Sequence, residues 1–275
     1  YQYTDEESGE DGYIISLKDI TVRKELQEEK DRIERINSLG TMTTGIAHEI
    51  RNPLAGIKAI AQTMEEEMKD DDANREYLKR IIRQTNRLDD ILKTLYAFAR
   101  PAKPNRASHS IGDILRNVIS TLEPHLKIKN IQLVKALHSN LPNIYVDAEQ
   151  IQQVLSNILR NSIDAIKSDG EISISAHSLE NGYPISKEHF KSLIQGKSYI
   201  EIHIHDNGCG ISRENLDRVF YPFFTTKMMA TGLGLTTGYQ TVKQNGGLIF
   251  LESEEHEGTD CYLILPSQKK PGDSR

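Results

Sequence analysis

Cysteine is nearly missing from this chain: only Cys209 and Cys261 occur, and no Cys-x-x-Cys pair does. Such usage fits a reducing compartment and offers neither a disulfide framework nor a thiolate metal site. A basic excess is missing too. Against 34 Lys and Arg stand 40 Asp and Glu, a formal net charge of −6, so nucleic acid and anionic membrane are poor partners. Nowhere does an apolar run approach the ~18 residues of a membrane span, and no charged-then-apolar leader opens the sequence. The expectation is a cytoplasmic chain that makes no membrane contact of its own. What is present is length: 275 residues accommodate two domains of ordinary size, each with a core.

Residues 1–11 are acidic and polar, and Gly12-Tyr13-Ile14-Ile15-Ser16-Leu17 reads as a short strand that cannot fold alone. Helical periodicity then takes over. Val22, Leu26, Glu29, Ile33, Ile36, Gly40, Thr43, Ala47 and Ile50 follow one another at spacings of three and four, a seam broken at Glu29. Capped by Asp19 or Thr21, this helix is predicted to run from 22 to 69, where Asp70-Asp71-Asp72 makes a solvated acidic turn. A second helix is predicted over 74–100 on Leu78, Ile81, Thr85, Leu88, Leu92, Leu95 and Ala99. Together they make an antiparallel hairpin. One hairpin leaves too much apolar stripe uncovered, so a homodimer is predicted, two copies forming a four-helix bundle. Pro101 and Pro104 end the second helix.

Beyond the prolines the pattern changes. Helices are predicted over 111–122 and 148–167, with strands over 131–136, 144–146, 171–176 and 199–205. In the last of these Ile200, Ile202 and Ile204 take one face, and Glu201, His203 and His205 the other. Residues 247–252 and 260–265 read as a closing hairpin, and 178–198 as a polar insertion without a legible role. This mixture, without regular βαβ alternation, predicts an α/β sandwich with helices on one side of a largely antiparallel sheet. A tail over 267–275 is expected to be disordered.

One stretch of the first helix carries chemistry, Gly45-Ile46-Ala47-His48-Glu49-Ile50-Arg51-Asn52-Pro53-Leu54. His48 follows the seam residue Ala47, so it lies about 100° round the helix at the edge of the packed face. Asn52 is one turn from it, and Pro53 removes a backbone donor just beyond. The run His-Glu-Ile-Arg-Asn-Pro-Leu resembles the phosphoacceptor box of sensor histidine kinases, in the variant with Asn where many relatives have Thr. Upstream, Asp19-Ile20-Thr21-Val22-Arg23-Lys24 resembles the junction where a PAS sensor domain ends. The Asn variant and the PAS-like entry are similar to kinases of the nitrogen-regulation type.

Four later patches resemble the ATP-binding domain shared by histidine kinases, gyrase, Hsp90 and MutL, of GHKL or Bergerat type. They are Asn157-Ile158-Leu159-Arg160-Asn161-Ser162-Ile163-Asp164-Ala165, Asp206-Asn207-Gly208-Cys209-Gly210-Ile211, Phe220-Tyr221-Pro222-Phe223-Phe224-Thr225-Thr226-Lys227 and Thr231-Gly232-Leu233-Gly234-Leu235, with Gly258-Thr259 completing the set. Each has a bland reading alone, such as solvated Asn residues, a turn or ordinary core aromatics. Their order at family spacing behind the histidine box is specific. Thr237 and Gly238 depart from positions often apolar in relatives, and Ala230 from a frequent glycine. Ser162 replaces a common alanine and reads as neutral.

The resemblance implies a multidomain chain: the end of a PAS-like domain over 1–20, a signalling helix and dimerising hairpin over 21–104, an ATP-binding domain over 105–266, and the tail. It implies ATP bound by Asn157, Asn161, Asp164, Asp206, Gly208, Gly210, Phe223, Thr225, Gly232, Leu233, Gly234 and Thr259, with Mg²⁺ on Asn161, whose neutral oxygen suits that ion. His48 is then the phosphoacceptor and Glu49 the base that orients it, while Thr226 and Lys227 neutralise phosphate charge. Asn52 would orient a water for dephosphorylating the partner, a response regulator receiver domain. Two other readings stay open: an ATP-driven clamp of the Hsp90 or MutL kind, and a degenerate kinase that only binds ATP and scaffolds. His203 and His205 share a strand face but have no evident third metal ligand, and they and the other histidines read as surface residues.

Overall fold

Among the described residues, two short strands and two helices precede a unit that packs helices on a mixed sheet. The computed structural model describes residues 2–4, 11–13, 50, 52–69, 72, 74–99, 102–137, 140–179, 198–227 and 230–268. The seam from Val22 to Ala47, His48, Glu49 and most of the 178–198 insertion lie outside them. Near the start, β1 (Gln2–Thr4) pairs antiparallel with β2 (Asp11–Tyr13), Gln2 opposite Tyr13. Where polar coil and then a strand from Gly12 were predicted, two short strands pair.

The chain is helical at 50 and over 52–67 (α1) and again in α2 (Arg75–Ala99). Asp72 accepts a hydrogen bond from the Asn74 N–H at 2.8 Å, which turns the chain into α2. Leu78, Thr85 and Leu92 are buried at a spacing of seven, and Ala61 of α1 is buried as well. Thr85 satisfies its hydroxyl on the Ile81 carbonyl at 2.9 Å. Ile57, Ile60, Met64, Tyr77, Ile81 and Leu88 stay exposed, so of the stripe predicted on α2 the residues Leu78, Thr85 and Leu92 are covered and Ile81 and Leu88 are not.

The second unit is a five-stranded sheet in the order β4-β6-β7-β9-β8, formed by β4 (Gln132–Leu137), β6 (Glu171–Leu179), β7 (Tyr199–Asp206), β9 (Gly258–Pro266) and β8 (Leu248–Glu254). Only β4 and β6 run parallel. A separate ribbon joins β3 (Ala107–His109) to β5 (Ile144–Val146). Strict alternation puts Ile200, Ile202 and Ile204 in the main core beneath α3 (Ile111–Ile128), α4 (Ala148–Ala165) and α6 (Gly234–Gln244). The short α5 (Arg213–Leu216) lies on the connection after β7.

Several boundaries differ from the sequence pattern, among them the end of β6, which runs to Leu179 rather than 176 and takes in the first two residues read as insertion. α3 runs through Pro124 to Ile128 rather than stopping at 122, because buried Leu122 and Leu126 flank the proline and their packing outweighs one lost backbone bond. α4 stops at Ala165 rather than at 167. Here the Lys129 ammonium donates to the Ile163 and Ile166 carbonyls, each at 2.7 Å, terminating the helix on a charge. Ser267 and Gln268 are held by bonds to Ser198 and Asn143, so backbone expected in the tail continues β9; 269–275 lie outside the described residues.

α6 lies antiparallel on α4. A Cβ built on Gly234 would sit 3.8 Å from Asn157 Nδ2, and one on Gly238 3.7 Å from Val154. At the other end Asn245, the C-cap of α6, reaches Asp147, the N-cap of α4.

Candidate functional site

The four patches named from sequence converge at one end of this helix pair. Asp206 terminates β7 and is 3% exposed. Burial raises its pKa above the ordinary aspartate value, against hydrogen bonds from Ser162 and the Gly208 N–H that favour the charged form. The Gly208 bond measures 3.1 Å. A Cβ at Gly208 would meet the Ala165 Cβ at 2.7 Å, so the loop lies against the helix that carries the asparagines. Gly210 adopts φ +65°, a region glycine takes at no steric cost. Thr259 stands opposite Asp206 in the sheet register, with its hydroxyl 3.1 Å from Ser253 Oγ.

On α4, half-buried Asn157 accepts from Gln153 at 3.1 Å and lies beside Gly234. One turn on, Asn161 and Asp164 converge on a single cation, for Lys227 Nζ donates to Asn161 Oδ1 at 3.2 Å and to Asp164 Oδ2 at 2.7 Å. A neutral oxygen and a carboxylate gathered on one charge form a hard donor set, and that set fits a divalent ion that keeps waters and phosphate oxygens around it. Thr225 shapes the turn that presents the lysine, its Oγ1 accepting from the Lys227 N–H at 3.0 Å; Thr226 is exposed in the same turn.

Phe223 is exposed and has φ +64°, a conformation that costs a bulky side chain of order 1–3 kcal/mol. Gly232, at φ +67°, lies so close that an added Cβ would meet the Phe223 carbonyl carbon at 2.4 Å. The phenylalanine and glycine patches therefore touch, pinching the base of the loop between them. Leu233 is buried with Phe98 and half-buried Leu95 of α2. His48 and Glu49 lie outside the described residues, and Asn52 is exposed near the start of the described part of α1.

Comparison with known proteins fits this arrangement. Residues 146–269 match the family of histidine kinase-, DNA gyrase B- and HSP90-like ATPases, and residues 38–103 match the His Kinase A (phospho-acceptor) domain. The chain carries the phospho-acceptor and ATPase domains of histidine kinases. Sporulation kinase E of Bacillus subtilis is 30% identical over 262 residues, covering 95% of this chain and 33% of that protein. The sensor histidine kinase ZraS of Escherichia coli K12 is 31% identical over 244 residues, covering 89% of this chain and 49% of that one. The chain thus spans about a third to a half of the length of these relatives. Among solved structures, the complex of the histidine kinase ThkA with the response regulator protein TrrA superposes with a TM-score of 0.58 at 25% identity, over 98% of this chain and 74% of that one.

Two features of this chain were not legible in its sequence. Ser162 is buried beside Asp206 and bonds to it; a serine one position after Asn161 was the available signal. On the outer sheet face, His203 Nε2 and His205 Nδ1 lie 2.6 and 3.0 Å from Asp260 Oδ1, and His177 Nε2 lies 2.9 Å from Glu201. These histidines are paired with carboxylates rather than simply solvated. Among the described residues no group of three His, Cys, Asp or Glu side chains is placed to hold a metal ion, and no helix is long and apolar enough to cross a membrane.

Proposed function

We propose that this chain is the catalytic part of a kinase that phosphorylates its own His48 from ATP and passes the phosphoryl group to an aspartate of a response regulator. The reading is supported above all by the convergence of Asp206, the α4 asparagines, Lys227 and the glycine loop at one end of α4 and α6, in a chain that also carries the phosphoacceptor domain. The domain division is that given from sequence, with 21–104 as hairpin and 105–266 as ATP-binding domain, acting in the cytoplasm.

In this mechanism Asp206 accepts from the adenine amine, and Gly208, Gly210 and Thr259 line the base's entry. Phe223, Thr225 and Gly232-Leu233-Gly234 enclose the phosphates with backbone N–H groups, and Asn157 steadies them. Lys227 exchanges its bonds to Asn161 and Asp164 for phosphate oxygens. Magnesium, held by Asn161 with Asp164 beside it, would supply neutralisation of phosphate charge. Glu49 accepts from His48 Nδ1–H, which leaves Nε2 unprotonated and more basic. Nε2 then forms a bond to the γ-phosphorus as the bond to the β–γ bridging oxygen breaks, its electron pair leaving on ADP. Because the two domains must meet, transfer includes a conformational step.

Incubation with γ-labelled ATP and magnesium tests the proposal. Label that is acid-labile, base-stable and absent from His48→Gln is the expected result; nucleotide binding with no label would favour a scaffold. Asn52, exposed one turn from His48 in sequence, is assigned to orient water during dephosphorylation of the regulator. Asn52→Ala should slow that reaction at least tenfold while autophosphorylation persists, and an unchanged rate would remove the assignment.

A further inference from the structure

The antiparallel packing of α4 and α6 puts the nucleotide patches at one end of the pair and the linker from the hairpin at the other. At that far end Asn245 is completely buried. Its Oδ1 accepts from the Asp147 N–H at 2.8 Å, and its Nδ2 donates to Gln150 Oε1 at 3.0 Å and to the Thr241 carbonyl at 2.9 Å. The linker closes on this hub. Gln150 Nε2 donates to the Ala102 carbonyl at 3.0 Å, the Asn105 N–H donates to Asp147 Oδ2 at 2.9 Å, and the Arg106 guanidinium donates to the Gln244 carbonyl. Both amide orientations follow from the network, since turning either would set donor against donor. From Ala107 the chain is already in β3, paired with β5.

We infer that Ala102–Arg106 is a clasped arm of the ATP-binding domain rather than a free tether, and that Gln150 and Asp147 are positioning residues that set the reach of this domain towards His48. The consequence for catalysis rests on the proposed histidine phosphorylation; the clasp rests on geometry alone. A tethered group's effective concentration falls roughly as the −3/2 power of free tether length. Clasping five residues therefore keeps the ATP-binding domain several-fold more concentrated at the histidine than a free linker would. Any reorientation between the domains is taken up on the hairpin side of Ala102, next to the packing of Phe98 on Leu233.

Two near-isosteric changes separate the clasp from the fold. Gln150→Glu retains the oxygen that Asn245 uses and loses the N–H given to Ala102. Asp147→Asn retains an oxygen for the cap bond to the Gln150 N–H and loses the acceptor for Asn105. In the full chain carrying both, amide exchange over 102–106 should quicken about tenfold while exchange over 199–206 in the central strand is unchanged. The initial rate of His48 phosphorylation should fall several-fold with ADP affinity unchanged. Linker exchange at the wild-type rate would overturn the clasp. Faster exchange without slower phosphorylation, or an equal loss of ADP affinity, would overturn the positioning role. If the wild-type chain takes no label from ATP, the kinase reading fails, and the exchange measurement still decides the clasp.

Discussion

At Asp206, burial and hydrogen bonding act on one carboxyl in opposite directions. Burial raises its pKa, and Ser162 and the Gly208 N–H restrain the rise. A carboxyl with a raised pKa takes up its proton at a higher pH than an ordinary aspartate does. If Asp206 accepts from adenine, ADP affinity should fall as pH drops through that raised value. Ser162→Ala removes one of the restraints, so the falling limb should move to higher pH. Calorimetric ADP titrations from pH 7 downwards on both proteins check this, and coincident limbs would detach Ser162 from the site. The serine was legible only as a substitution in a box. Its burial against Asp206 depends on how α4 lies along β7, and side-chain spacing does not carry that information.

Among the elements, α6 combines a functional start with a weak interior. Gly234 opens the helix beside Asn157 and Gly238 sits in mid-helix, where an added Cβ would meet Val154 at an ordinary 3.7 Å. Nothing steric requires glycine there. Gly238→Ala should therefore stabilise the ATP-binding domain by about 1 kcal/mol through helix propensity and a smaller loss of chain entropy. A denaturant midpoint measured at constant m-value tests it, and destabilisation would mean that α4 and α6 need the closer approach. Gly232 is the contrasting case, since its positive φ and the Phe223 backbone together exclude any side chain.

For the whole molecule, the exposed stripe on the hairpin governs assembly. Ile57, Ile60 and Met64 of α1 and Tyr77, Ile81 and Leu88 of α2 are each 43% or more exposed, more apolar surface than an isolated hairpin sustains in water. A homodimer through this stripe is the proposed state. Ile60, 64% exposed, is the most uncovered of the three on α1. Ile60→Glu should shift the chain to monomer at micromolar concentration in light scattering, with ADP binding retained because α4 and α6 carry that site. A dimer that survived the charge would place the interface elsewhere.

The sequence by itself determined what repeats or what is chemically singular. The three-and-four spacing in α2 and the alternation in β7 are local, and helix and strand formation read them directly. The histidine box and four nucleotide patches could be identified because each keeps its residue types within about ten positions. Only the tertiary structure decided which of these meet. Lys227 finds Asn161 and Asp164 from 66 and 63 positions away, and Asn245 finds Gln150 and Asp147 from 95 and 98. Pro124 stays helical because Leu122 and Leu126 are buried on either side of it. Such contacts arise from how α3, α4 and α6 pack on one sheet, and that packing is set by the summed burial of many side chains rather than by any one segment.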